Sequence, residues 1–157
     1  SRVGSAGRPL VAVSIVLSVV LMVLGYQQAE GPLWWGRQSA LVGINNLLVL
    51  IGFYMIAGSI IGARISRFIR HPQLTAIKLW AVAHVLVNGD LASLMLFGGL
   101  LIWAVLTVIL INRQEEPPVL EQGPIAWAPE VGALSAAIVI YGLVGYVHGW
   151  LGYPVHG

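Results

Sequence analysis

Residues 70–103 read RHPQLTAIKLWAVAHVLVNGDLASLMLFGGLLIW. Two continuous apolar runs, Leu74–Val87 and Leu91–Trp103, flank the breaker Asn88-Gly89-Asp90, and neither run shows the alternation of a half-buried strand. Both therefore predict helices at home in a lipid bilayer. Within the first run stands His84. An ionisable side chain at membrane depth costs roughly 2.5–3.5 kcal/mol for Arg, Lys or Asp on insertion scales. Imidazole can stay neutral and so costs less, yet its ring nitrogens still need partners. A neutral imidazole buried in an apolar helix is also a good haem ligand.

The composition around this stretch agrees. Of 157 residues, 58% are hydrophobic and only 9% charged, against about 25% charged in a soluble domain. The mean hydropathy is +0.87. There is too little polar surface here to cover a water-soluble fold, so the chain reads as an integral membrane protein. Its length fits one domain, residues 1–157, without a separate soluble module. The net charge of +2 comes from few charges, a pattern of membrane topology and not of nucleic-acid binding. With no cysteine, disulfides, thiolate metal sites and cysteine nucleophiles are excluded. The chain starts at Ser1, and the expectation is that a leading segment is missing. Arg2 and Arg8 before the apolar run from Leu10 imitate a secretory signal, but the run to Tyr26 is long and lacks an A-x-A site, so it reads as a retained helix.

Outward from residues 70–103, five apolar segments appear: Pro9–Tyr26, Ser39–Ile61, Leu74–Val87, Leu91–Ile111 and Val131–Leu151. A span needs about 20 residues. The third reaches that length only if Pro72, Gln73 and Asn88 join it. The expected architecture is all-α, a polytopic transmembrane bundle of about five helices. Alternating spans put Arg2, Arg8, Arg64, Arg67, Arg70 and Arg113 on one side, with Lys78 just inside it, and only Arg37 on the other. The positive-inside bias then makes the basic loop 62–73 cytoplasmic and the carboxyl end external. Trp34, Trp35, Tyr146, Trp150 and Tyr153 fall at the outer interface, where aromatic belts sit.

In this arrangement His84 lies about one turn from the outer end of its helix, and His148 lies near the outer end of the last. Trp80, His84 and Asn88 follow i, i+4, i+8 spacing and share a face. The plain alternative for His84 is a neutral imidazole hydrogen-bonded to the neighbouring helix at Asn45 or Asn46. His148 sits in the small-xxx-small pattern Gly145–Gly149, which lets a helix or a flat ligand approach. Its plain reading is a hydrated ring among interfacial aromatics. Gly58–Gly62 repeats the pattern and reads as helix packing. His156 reads as a solvated tail residue. Arg67, Arg70 and His71 cluster before Pro72 at a helix start, a place for an anionic lipid head group or simply for topology charge and a cap. Asp90 reads as the cap of the following helix, and the segment RQEEPPVLEQGP as a solvated linker. No buried carboxylate pair, nucleophile–base pair or phosphate loop is visible. Four histidines without cysteine make a poor zinc site. Bis-imidazole haem needs only two of them facing one slot.

At Arg70-His71-Pro72, Leu79-Trp80-Ala81-Val82-Ala83-His84, Asn88-Gly89-Asp90-Leu91-Ala92 and Leu96-Phe97-Gly98-Gly99 the sequence resembles the NnrU family. The ending His148-Gly149-Trp150-Leu151-Gly152 resembles that family's carboxyl end. The resemblance implies a bacterial inner-membrane protein linked with nitrite and nitric oxide reduction, that is, denitrification. The family also includes the plant and cyanobacterial 15-cis-zeta-carotene isomerase, whose haem b is ligated by histidines. His84 matches one of these, which implies haem b here, with His84 as an axial ligand to the iron. Family members usually begin with an additional histidine-bearing helix that supplies the other ligand. This chain is expected to lack it, which leaves His148 as a possible second ligand, or leaves none.

These readings combine into one expectation. It is a haem-b-binding membrane protein acting in redox chemistry or isomerisation of a lipophilic, carotenoid-like substrate, with Trp80 and Asn88 shaping the site. The alternative is a non-enzymatic accessory subunit, in contact with lipids and with other membrane subunits of a larger complex. A more distant alternative is an enzyme similar to isoprenylcysteine methyltransferase, suggested by the Arg-His-Pro element, although no carboxylate follows Glu130. Single cysteines at Ser66 and Gly157 should react with an impermeant reagent in intact cells only at Gly157. Equal labelling of the two would overturn the five-span topology.

Overall fold

A computed structural model of the chain describes residues 7–116 and 126–155. Arg2, His156 and most of the polar linker lie outside the described residues. The helices are α1 (Gly7–Gln28), α2 (Ser39–Ile61), α3 (Ile65–Phe68), α4 (Pro72–Val87), α5 (Leu91–Gln114) and α6 (Trp127–Trp150). Among the described residues there is no strand, only an isolated bridge between Leu33 and Asp90. The all-α reading holds. The five apolar segments are five of these helices, and the sixth, α3, is a single turn inside the basic loop.

Four helices, α1, α2, α5 and α6, are long and apolar enough to cross a membrane. The exception is α4, with 16 residues. At about 1.5 Å per residue it covers roughly 24 Å, short of a hydrocarbon core of about 30 Å. Pro72 starts it, where the missing N–H costs nothing. Asn88 stops it, extended, with its side chain donating to the His84 carbonyl at 2.9 Å.

The helices stand side by side in the order α6, α2, α4, α5, α1. Lipid is as apolar as leucine, so burial alone cannot hold such a row, and close approach across small residues does. The buried set is accordingly rich in alanine: Ala57, Ala76, Ala81, Ala83, Ala104, Ala133 and Ala137. The long side chains of α1, α5 and α6 point outward, Leu10, Ile102 and Leu143 among them. In water they would be a liability; in a bilayer they are the lipid-facing surface, and the chain is an integral membrane protein in contact with lipid.

The connections gather at two ends. At the aromatic end, the segment after α1 pairs with the turn between α4 and α5. Trp34 N–H donates to Gly89 O at 2.9 Å, Gly89 N–H to Trp35 O at 3.1 Å, and Leu91 N–H to Pro32 O at 3.3 Å. The Trp35 indole N–H donates to Val85 O at 3.0 Å. The tail returns to the same end, where Arg37 donates to Pro154 O at 2.6 Å and Asn46 to Val155 O at 3.2 Å.

At the basic end, Arg70 donates to the carbonyls of Glu115 and Glu116 at 2.8 and 3.2 Å, and His71 Nε2 lies 2.8 Å from Asn112 Oδ1. The two-ended arrangement expected from alternating spans is therefore present. One small-residue pattern has a second use besides the packing expected of it, in which Gly58 faces Ala133 of α6. Gly62, with φ of 83°, is the left-handed cap of α2, and its N–H and that of Ala63 donate to Gly58 O. Gly58 is small because Ile65 of α3 lies against it. The pattern ends a helix and docks a turn.

A Cβ at Gly89 would collide with the Trp35 indole. Gly89→Ala should therefore destabilise the protein by about 1–3 kcal/mol, the usual range for overpacking. Gly99→Ala meets nothing within 4 Å and, as a helical Gly→Ala change, should be neutral or stabilising. Thermal unfolding in detergent compares them; equal midpoints would sever the link between Gly89 and the loop pairing.

Candidate functional site

His84 and His148 are each set on the last turn of a helix at the aromatic end. Each ring is pinned by its own helix: His84 Nδ1 to Trp80 O at 2.9 Å, and His148 Nδ1 to Val144 O at 2.8 Å. A carbonyl can only accept, so in both rings Nδ1 carries the proton. In the neutral imidazole Nε2 is then a bare lone pair. Neither Nε2 finds a hydrogen-bond partner, and among the described residues no side-chain nitrogen or oxygen is sealed away without one. Both lone pairs therefore remain accessible. The two histidines, on α4 and α6, lie at the same end of the bundle, on the two helices that flank α2.

Aromatic rings line the His84 side. Its ring centroid is 4.8 Å from Trp80 and 4.7 Å from Phe97, and Trp80 meets Phe97 edge-on at 5.1 Å. Tyr26 of α1 reaches Phe97 at 6.4 Å. Trp80 thus shapes the site twice, by its ring and by its carbonyl. Asn88 donates its side-chain amide to the His84 backbone carbonyl at 2.9 Å. Asn45 and Asn46 are engaged elsewhere: the Asn45 amide donates to Asn46 Oδ1 at 3.0 Å, and Asn46 donates to the tail. The plain reading of His84 as bonded to α2 gives way to the i−4 bond within its own helix. Gly145 is approached by Val155, whose side chain lies 3.2 Å from where a Cβ would stand, while the space at Gly149 is open.

A second polar group sits beside this one. Asp90 caps α5 as the sequence indicates, accepting from Ser93 N at 2.8 Å and from Ser93 Oγ at 2.6 Å. Ser93 is fully buried, and its Oγ is 2.8 Å from Tyr26 OH. Burial works against the Asp90 carboxylate. The bonds from Ser93 and the nearby backbone prevail and hold its pKa below the usual aspartate value. Sequence reasoning found Asp90 but not Tyr26 or Ser93, since nothing in the spacing tells that α1 lies beside α5.

At the basic end, Arg70 and His71 tie α4 to the end of α5. Arg64 contributes its backbone N–H to Glu130 Oε1 at 2.6 Å, and Tyr54 OH donates to Glu130 Oε2 at 2.6 Å. Glu130, read in the sequence only as the last acid of a linker, joins α2, α3 and α6. Its signal was its place in the first turn of α6, where a carboxylate suits the helix dipole. Among the described residues, no three His, Asp or Glu side chains converge as a metal site.

The fold defines a polytopic helical membrane protein, with two imidazoles each bonded to its own helix at the aromatic end. The chain belongs to the NnrU family, whose model, NnrU protein, matches residues 1–155. No curated protein and no solved structure matches it.

The cap yields a pH-dependent outcome. Because the folded pKa of Asp90 is depressed, its stabilisation is complete above the unfolded value of about 3.9. It is lost as pH falls through the lower folded value. Asp90→Ala should cost about 1 kcal/mol at neutral pH, and the gap to wild type should close in acid. A gap unchanged at pH 2 would mean that the carboxylate charge contributes nothing.

Proposed function

We propose that this NnrU-family protein binds haem b through His84, with His148 as the second ligand, and acts in redox chemistry or in isomerisation of a lipophilic substrate. The observation that carries the proposal is the matched state of the two imidazoles. Each donates from Nδ1 to a fixed carbonyl, the outer-sphere bond that ligating histidines usually make. That bond fixes the tautomer and turns a bare Nε2 outward. The donor set suits haem iron, which takes imidazole nitrogen, and Trp80 and Phe97 offer flat apolar faces beside it. Haem held by His84 and His148 would supply one-electron chemistry.

The chain's own residues do the rest. The Trp80 and Val144 carbonyls orient the rings, Phe97 and Trp80 exclude water from the His84 side, and the pairing of residues 32–35 with the turn at Gly89 holds the end of α4 in place. By the positive-inside rule the basic end faces the cytoplasm of a bacterial inner membrane, which puts the histidines toward the outer leaflet.

Absorption spectra of the purified protein test the proposal. Oxidised and reduced wild type should show a Soret band and sharp reduced α and β bands. His84→Ala should abolish them or turn a low-spin spectrum high-spin while the protein still inserts and folds, and His148→Ala should do the same. A His148→Ala spectrum identical to wild type would remove His148 as a ligand. Identical haem binding with and without His84 would overturn the site. A colourless protein copurifying stoichiometrically with other subunits would favour the accessory-subunit alternative.

A further inference from the structure

Between α1 and α5 runs a crevice of about 530 Å³, lined by Leu10, Ser14, Ser18 and Met22 on one wall and Leu100 and Trp103 on the other. From Leu10 to Met22 it extends about 18 Å at 1.5 Å per residue. The two serines make no polar demand on an occupant, because Ser14 Oγ donates to Leu10 O at 2.9 Å and Ser18 Oγ to Ser14 O at 2.7 Å. The walls therefore suit an apolar chain. One turn beyond Met22 stands Tyr26, and one turn beyond Leu100 stands Phe97. The crevice lining ends at Met22 and Leu100, one turn short of the packed aromatic cluster of Tyr26, Phe97, Trp80 and His84.

The hydrogen bonds at that end have a direction. Ser93 Oγ donates its proton to the Asp90 carboxylate at 2.6 Å. It can then only accept from Tyr26, 2.8 Å away. The Tyr26 proton is spent on Ser93, and the phenol oxygen presents lone pairs alone. A head group meeting it must donate. We propose that this crevice binds a long-chain quinol, its tail between α1 and α5, its ring beyond the crevice's end beside Tyr26, and one of its hydroxyls donating to Tyr26 Oη. The oxidised quinone has only carbonyl acceptors and finds no donor at Tyr26. The binding geometry stands on these residues alone, whereas its redox meaning rests on the haem reading above.

Anaerobic calorimetry on the full chain in lipid nanodiscs tests this, with decylubiquinol and decylubiquinone as probes. The quinol should bind at least tenfold more tightly than the quinone, and Tyr26→Phe should erase that preference. Ser14→Trp, which fills the crevice without touching Tyr26, should weaken binding of both forms at least tenfold. Asp90→Asn, whose amide can donate as well as accept, should shrink the preference. No binding of either probe, equal affinities, a preference surviving Tyr26→Phe, or binding indifferent to Ser14→Trp would each overturn the proposal. The same titrations on His84→Ala protein separate the two readings. A quinol preference kept there without a haem spectrum in wild type would sink only the haem site.

Discussion

The docking of Trp35 on Gly89 is the contact on which the aromatic end depends. A glycine there lets an indole lie flat on the backbone, and the paired N–H and carbonyl groups of residues 32–35 then satisfy the turn between α4 and α5. Irregular backbone near a membrane is tolerated only where its polar groups find partners in the protein. Without this pairing, the turn would leave open groups at the end of the shortest of the five apolar helices. With it, α4 stops on time, its last turn is fixed, and His84 and Asp90 sit on either side of a closed loop. The short helix and the elaborate loop are two sides of one solution.

The row of helices follows from a second constraint. Small residues at the contacts of α2 with α4 and α6 let backbones approach, as Gly52 against the Ala76 carbonyl shows. The ends are joined by polar bonds where water and lipid head groups begin: Glu130 with Tyr54 and Arg64 at one end, Arg37 and Asn46 with the tail at the other. Directional bonds at the ends and close contacts between alanines divide the work, and the middle of the row asks nothing specific of its lipid-facing side chains. α1, with no buried residue, is the extreme of this pattern.

Much of this was legible in the sequence. The number and bounds of the apolar segments, the cap at Asp90 and the placement of His84 near a helix end all come from local signals: run length, a proline at a start, an Asn-Gly-Asp break. The order of the helices does not. Lipid-facing and helix-facing surfaces are both apolar, so no periodic stripe marks which neighbour a helix takes. Tyr26–Ser93 and Tyr54–Glu130 each join residues far apart in sequence, and neither could be read without that order. Gly58–Gly62 shows one pattern with two uses: Gly58 faces Ala133 of α6, as a packed helix face does, and the left-handed backbone at Gly62 adds a helix cap that spacing alone does not reveal.

The two imidazoles show how a membrane helix makes a reactive nitrogen from ordinary parts. A helix carbonyl has two lone pairs, and the one left over by the backbone ladder can accept from a side chain at i+4. A histidine placed there donates Nδ1–H locally and needs no partner on another helix, as His84 and His148 both do. Orienting the ring this way has a consequence at its far edge, where Nε2 is left as an acceptor with no donor in reach. A polar atom in that state is costly to surround with apolar groups, so the arrangement favours anything that can take up the lone pair. Water can do so at the interface. Under the haem proposal an iron centre would do so, with the aromatic faces of Trp80 and Phe97 beside His84.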